Sequence, residues 1–342
     1  MAKKALSAAV ALVVLQCALS TGVRAQVASN CLGVAWTSWI EGYLPLPPGS
    51  FDCQTYLFSG TACWFVLSLP GCAPAAAPPE TCQDCVKKGY GGGPISLASG
   101  NTYIEENDVR LPGLSGGLSL DRTWNSLWPA TQTAYQIGLF GPNWRSTFEE
   151  RVFIGADHYI KYGRSDGSFW SFGYNGGVLT VAAPANVRAT LVEGATNWTL
   201  TFQNGEQRLF DNTTGHLTAI IDRNGNTTTL TYDSVGRLVT VTDPVSRQLN
   251  FNYGNGSSYL VTSVTSSFGV TVSYSYDGQG RLTQVTEPDG STLAFQYDSN
   301  SFISAVVDSQ GKVLESHTYD SSGRGLTSSR ANGVEAITIS YQ

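Results

Sequence analysis

From about residue 197 onward, apolar and polar positions alternate in runs of five or six residues, each run ended by Gly, Asp, Asn or Pro. A period of two marks strands with one buried face, and turn residues between successive runs make each pair a hairpin. In one unit, Leu282, Gln284 and Thr286 are expected on one face and Thr283, Val285 and Glu287 on the other. Pro288-Asp289-Gly290-Ser291 supplies a tight turn, and the return run puts Leu293, Phe295 and Tyr297 on a single face. The unit recurs with starts at 215, 236, 259, 280, 301 and 323, separated by 21, 23, 21, 21 and 22 residues. A fainter copy precedes it, with strands at Trp198 to Phe202 and Gln207 to Asp211. An isolated two-stranded hairpin is marginal in water, so the units are expected to stack into one continuous antiparallel sheet.

The residues fixed within the unit have structural roles in this reading. Gly236-Arg237-Leu238 and Gly280-Arg281-Leu282 open units, and Tyr232-Asp233, Tyr276-Asp277, Tyr297-Asp298 and Tyr319-Asp320 close them. The Tyr ring is expected to pack over the sheet, and the Asp to accept backbone bonds in the next turn. Upstream, short apolar and aromatic runs between Gly and Asn turns predict further β structure as far as about residue 193. The whole chain is therefore expected to be all-β.

The first residues differ. Lys3 and Lys4, the apolar run Ala5 to Leu15 and the Val23-Arg24-Ala25 cleavage pattern read as a signal peptide over 1–25. Export to the medium or the cell surface follows. That run is shorter than the about 20 residues a membrane span needs, and no later run approaches it. Between 26 and 88 lie Cys31, Cys53, Cys63, Cys72, Cys82 and Cys85 and two proline-rich stretches, with no cysteine afterwards. An even number in a short exported segment predicts three disulfides in a small module, with the pairing left open. A zinc site on Cys82 and Cys85 would lack a second close Cys pair. Gly89 to Gly93 marks a boundary, so the domains are read as 1–25, 26–88, 89–193 and 194–342.

Charge narrows the functions. Only 13% of residues are charged, about half the ~25% of an average domain. Removing Lys3, Lys4 and Arg24 with the signal, and no acid, takes the formal charge from −6 to −9, which argues against a nucleic-acid partner. His158, His216 and His317 are far apart, no nucleophile elbow is visible, and no catalytic residue, metal or cofactor is expected. Glu105, Glu106 and Asp108, and likewise Glu149 and Glu150, read as solvated edges. Trp124, Trp128, Trp144, Trp170 and Trp198 could form a glycan-binding face, with core packing as the alternative.

Gly-Arg-Leu, a strand, an Asp-Gly turn, a second strand and Tyr-Asp together resemble the YD repeat of the RHS family, most cleanly at Gly280 to Asp298. Pro94 to Asn101, Leu111-Pro112-Gly113, Leu118 to Ser126 and Phe140-Gly141-Pro142-Asn143-Trp144 resemble, in order, the domain that introduces such repeats. The resemblance implies a β-sheet strip that in long members closes into a hollow shell around a C-terminal toxin. Two roles compete. One is the N-terminal part of such a scaffold, with further repeats or a toxin as partners. The other is a self-contained adhesion module binding cell-wall or host glycans. The strand Ile337 to Tyr341 carries no charge or proline, which predicts continuation of the sheet or self-association through that edge.

Overall fold

The computed structural model describes residues 95–128, 135–155, 159–175, 178–184, 186–254, 258–330 and 333–341, together with strands at 24–27, 57–60, 63–68 and 90–91. The chain divides into two units, Met1–Ala77 and Pro78–Gln342. In the first, β1 (Arg24–Val27), β2 (Leu57–Gly60) and β3 (Cys63–Ser68) form an antiparallel sheet in the order β1-β3-β2. The expected disulfides concern side chains outside the described ones.

In the second unit β4 (Tyr90–Gly91) pairs with β5 (Ile95–Ser96). Next come β6 (Tyr103–Leu111), β7 (Leu118–Asn125), the short hairpin of β8 (Ile137–Gly138) and β9 (Gly141–Pro142), and β10 (Trp144–Ser146). Strands β6, β7 and β10 form a small sheet in the order β10-β7-β6. The remaining nineteen strands make one antiparallel ribbon in strict chain order. They are β11 (Arg151–Ile154), β12 (Ile160–Gly163), β13 (Phe169–Asn175), β14 (Val178–Ala183), β15 (Ala189–Glu193), β16 (Asn197–Phe202), β17 (Gln207–Asp211), β18 (Leu217–Ile221), β19 (Thr227–Tyr232) and β20 (Leu238–Thr242), followed by β21 (Gln248–Tyr253), β22 (Val261–Ser266), β23 (Thr271–Tyr276), β24 (Leu282–Thr286), β25 (Thr292–Tyr297), β26 (Ile303–Asp308), β27 (Val313–Tyr319), β28 (Gly325–Arg330) and β29 (Val334–Thr338). The fold is all-β and antiparallel, and the hairpins stack into one sheet as the repeat predicts. That sheet also runs without a break from β15 into β16, across residue 193.

Within a repeat the strict alternation fails at one place. Leu282 and Val285 are both buried, although they stand three apart. Tyr276 pairs with Leu282 while Ser275 pairs with Gln284, so Thr283 is an extra residue and the phase of burial flips there. The same slip separates Thr231 from Tyr232, Asn252 from Tyr253, Gln296 from Tyr297 and Thr318 from Tyr319. At three of these bulges the extra residue's hydroxyl donates across the strands: Thr262 to the Asn252 carbonyl (3.2 Å), Thr283 to Ser275 (3.1 Å) and Ser304 to Gln296 (3.2 Å). A bulge bends its strand and sharpens the local twist. One bulge per repeat therefore curves the ribbon continuously.

The curvature shows in contacts between strands that a flat sheet would hold apart. Tyr162 on β12 meets Phe210 on β17 with ring centroids 5.8 Å apart, though five strand spacings of about 4.8 Å separate them along the ribbon. Arg151 on β11 bridges to His216 just before β18, which covers the ribbon's first edge.

From β16 onward each fully described turn holds a residue in the left-handed region. Gly280 has φ +74°, and a Cβ there would meet only Leu260 Cδ1 at an ordinary 3.5 Å, so the backbone angle alone calls for glycine. Ser246 occupies the same place in its turn at φ +67°. Ser246→Gly should raise stability by about 0.5–1 kcal/mol, and Gly280→Ala should lower it by about 1–2 kcal/mol. Urea unfolding of both variants checks this, and equal effects of the two substitutions would contradict it.

Candidate functional site where the ribbon wraps its plug

The repeat residues interlock. Asp277 Oδ1 accepts from the backbone N–H groups of Gln279 (2.9 Å) and Arg281 (3.0 Å), and Oδ2 accepts from Arg281 Nε (2.7 Å). The same guanidinium lies 4.7 Å from the centroid of the Tyr297 ring, and Tyr297 donates its hydroxyl to the Leu282 carbonyl (2.8 Å). Asp233, Arg237, Tyr253 and Leu238 repeat the arrangement. The backbone N–H of Arg237, aided by its guanidinium, holds the Asp233 carboxyl below its ordinary range. Six tyrosines close six hairpins in this way, Tyr232 on Leu217, Tyr253 on Leu238, Tyr276 on Val261, Tyr297 on Leu282, Tyr319 on Ile303 and Tyr341 on Gly325. In two repeats that lack the Arg, another flat group takes its place: His216 stacks on Tyr232 and Phe302 packs on Tyr319.

The concave face is filled by the segment from β6 to β10, which acts as a plug. Its aromatic rings, with Phe148 just beyond β10, meet every second ribbon strand: Phe148 meets Phe251 on β21, Phe140 meets Tyr274 on β23, Trp144 meets Phe295 on β25 and Trp124 meets Tyr319 on β27. Backbone contacts follow the same line. The N–H of Val261 donates to the Leu139 carbonyl and that of Gly325 to Gly100, each within 2.9 Å. A Cβ on Gly100 would stand 2.8 Å from Arg324 Cβ, so glycine permits this approach.

At the middle of the plug is a buried charge. Arg122 on β7 is fully buried and donates through Nε to Asp108 Oδ2 (2.5 Å) and through Nη2 to Oδ1 (2.7 Å). Tyr274 of the ribbon donates to the same Asp108 Oδ2 (2.6 Å), and the guanidinium sits 4.8 Å from the Trp144 ring centroid. Burial, with the charge of Asp108 beside it, pushes the Tyr274 hydroxyl well above its ordinary range. A second ion pair, between half-buried Arg208 and buried Glu150 at 3.1 Å, ties β17 to the residue just before β11.

These positions correct several sequence readings. Trp124, Trp144 and Trp170 are buried and packed on Tyr319, Phe295 and Phe202, so their faces are covered and cannot meet a sugar. Trp128 and Trp198 are half-buried, Trp128 against Phe169 and under Arg145. Asp108 and Glu150 are buried in ion pairs rather than on solvated edges, and the Glu149 carboxylate accepts the Leu139 N–H (2.7 Å). His317 is buried, His216 is half-buried, and His158 lies outside the described residues. Among the described residues no group of three His, Cys, Asp or Glu is placed to hold a metal, and no helix is long and apolar enough to cross a membrane.

Residues 197–341 match the family described as Teneurin YD-shell, and residues 92–172 match a domain of unknown function, DUF6531. The chain is an RHS/YD-repeat protein. Its curated relatives include the tRNA nuclease WapA of Bacillus subtilis (strain 168) and the tRNA(Glu)-specific nuclease WapA of Bacillus subtilis subsp. natto, each 31% identical over 146 residues. That match is 43% of this chain and 6% of either relative, so the YD-repeat protein spans a small part of their length. Similar solved structures include the complex TcdB2-TccC3-Cdc42, 14% identical over 66% of this chain and 14% of that one, with a TM-score of 0.27. The Photorhabdus luminescens Tc holotoxin pore gives the same identity and coverage with a TM-score of 0.28.

In this YD-repeat protein the plug residues Arg122 and Asp108 and their ribbon partner Tyr274 escaped the sequence reading. One signal was available. Leu118, Leu120 and Trp124 share the inward register of β7, and Arg122 occupies the same parity. A charge in an apolar register requires a buried partner.

Arg122→Ala leaves Asp108 buried without its cation and should cost about 3–5 kcal/mol, whereas replacing both by apolar residues should cost clearly less. Tyr297→Phe, which removes one hairpin latch, should cost about 1 kcal/mol. Chemical denaturation of the three variants measures both, and a loss below about 1 kcal/mol for Arg122→Ala would contradict the role given to the pair.

Proposed function

We propose that the chain is an exported, non-catalytic scaffold: the opening part of an RHS/YD ribbon, closed at its start and filled by its own plug. The observation that carries this reading is the use made of the repeated side chains. Asp, Arg and Tyr, the groups with chemistry to offer, are bound to one another and to backbone in repeat after repeat. The concave face, where a substrate would enter a shell, is occupied by packed rings.

In this reading the partners are further YD strands adding at β29, or a toxin held by the longer ribbon. The leader over 1–25 sends the protein to the medium or the cell surface. A glycan-binding role is not adopted, because three of the five tryptophans proposed for it are in the core. Nuclease action is not assigned to this stretch either. The formal charge of −9 left after removal of the leader repels the polyanionic backbone of RNA.

Expression of the full chain with its leader in a bacterial host, followed by N-terminal sequencing and incubation with tRNA, tests the proposal. The expected product is exported, starts at Gln26 and leaves tRNA intact. Retention in the cell, or cleavage of tRNA by the purified chain, would overturn it.

A further inference from the structure

Two Asn-Gly pairs lie wholly within the described residues, Asn204-Gly205 in the turn from β16 to β17 and Asn224-Gly225 in the turn from β18 to β19. All four residues are exposed. The two turns share a backbone frame. The Gly205 N–H donates to the Phe202 carbonyl and the Gly225 N–H to the Asp222 carbonyl, each at 3.0 Å, while Phe202 and Asp222 donate to the carbonyls of Glu206 (2.9 Å) and Asn226 (3.0 Å). They differ in what holds them shut. Asp222 caps its own turn, with Oδ1 accepting the N–H groups of Asn224 (2.8 Å) and Asn226 (2.9 Å) and Oδ2 accepting Asn226 Nδ2 (2.8 Å). Phe202 stands at that place in the earlier turn and has no carboxylate to offer. There Asn204 itself makes the side-chain bond, its Oδ1 accepting the Glu206 N–H (3.0 Å).

We propose that Asn204 is a self-modifying site, at which the backbone nitrogen of Gly205 converts the side-chain amide to aspartyl and isoaspartyl products. The bond from Glu206 folds the carboxamide back over the Gly205 peptide and draws electron density from Cγ. Glycine brings no Cβ to bar the approach, and one built at Gly205 would meet only Arg223 Cβ, at 3.7 Å. When the turn opens and frees the Gly205 N–H, that nitrogen gives its proton to hydroxide and bonds to Asn204 Cγ. The bond from Cγ to Nδ2 breaks, and the amide nitrogen takes up a proton and leaves as ammonia. Water then opens the cyclic imide, its hydroxyl going to one carbonyl carbon and its proton to the ring nitrogen. Opening at Cγ gives aspartate, and opening at the backbone carbonyl gives isoaspartate.

Asn224 has the same chemistry in a capped turn, where opening has to break the Asp222 bonds as well. The product at 204 adds a carboxylate to a cleft of about 270 Å³ lined by Glu206, Asp222, Arg223 and the plug residues Ser115 and Gly116. The reaction is independent of the scaffold role and of export.

The full chain is held in mildly alkaline buffer, sampled over days and digested in mild acid. Peptide mass spectrometry reads the amide-to-acid change at Asn204 and Asn224, and electron-transfer fragmentation separates isoaspartate from aspartate. In the native chain Asn204 should convert about fivefold faster than Asn224, the factor supplied by roughly one capping hydrogen bond, and isoaspartate should be among its products. In urea, with both turns lost, the rates should agree within about twofold. Asp222→Ala should raise the native rate at Asn224 to within about twofold of that at Asn204. Native conversion of Asn224 as fast as that of Asn204 would overturn the proposal, as would an acid product free of isoaspartate, a fivefold difference that persists in urea, or an unchanged Asn224 rate in folded Asp222→Ala. Should that variant fail to fold, the native and urea ratios decide.

Discussion

A ribbon that gains one bulge per repeat has to curve, and a curved sheet with an apolar inner face has to be filled. The rest of the second unit follows from that constraint. Leu238, Val241, Leu249, Phe251, Val264 and Val285 project to one side because the bulges set their phase. That inner face spans many strands, whereas the plug's own sheet has only three. Contacts from Phe148 at β21 to Trp124 at β27 are compatible only with a ribbon bent around the plug. The large aromatic side chains of the plug suit this task, since each buries a wide area and tolerates edge-on packing.

The turns carry the second half of the design. A Tyr hydroxyl caps the carbonyl at the start of its hairpin, the Arg of the next turn answers the preceding Asp, and the same Arg covers the next Tyr. Each link is modest, about 1 kcal/mol for a neutral hydrogen bond. Their value lies in regularity. Every hairpin is fixed to its neighbour at the end where the bulge bends it, so curvature accumulates in one direction. Charges on the ribbon from β19 to β25 are confined to these turns, which leaves the strands to Thr, Ser, Asn and Gln on the outer face.

Much of this was legible in the sequence. The spacing of Gly-Arg-Leu and Tyr-Asp fixed the hairpins, their order and the single sheet, because local turn chemistry and period-two burial decide those features. The bulge was not read, although its mark is present as the Thr or Ser that follows Leu282, Val261 and Ile303. A period of two alone would put Leu282 and Val285 on opposite faces. The plug was also missed, for a different reason. Alternation tells which side of a strand is apolar but not which strands lie inside a curve, so Trp124 and Trp144 read equally well as a binding face or a core. The acids Asp108 and Glu150 are likewise explained by side chains on other strands, Arg122 and Tyr274 for the first and Arg208 for the second.

The central claim is that the plug holds the ribbon's curvature, and hydrogen exchange on a plug variant tests it most directly. Trp144→Ala removes one ring from the plug without touching the ribbon. The account predicts that protection falls in β23 to β27 as well as in β7 and β10, because the bent strands lose their support together. Loss confined to β6, β7 and β10, with the ribbon as protected as before, would show that the ribbon curves by itself and would contradict the account.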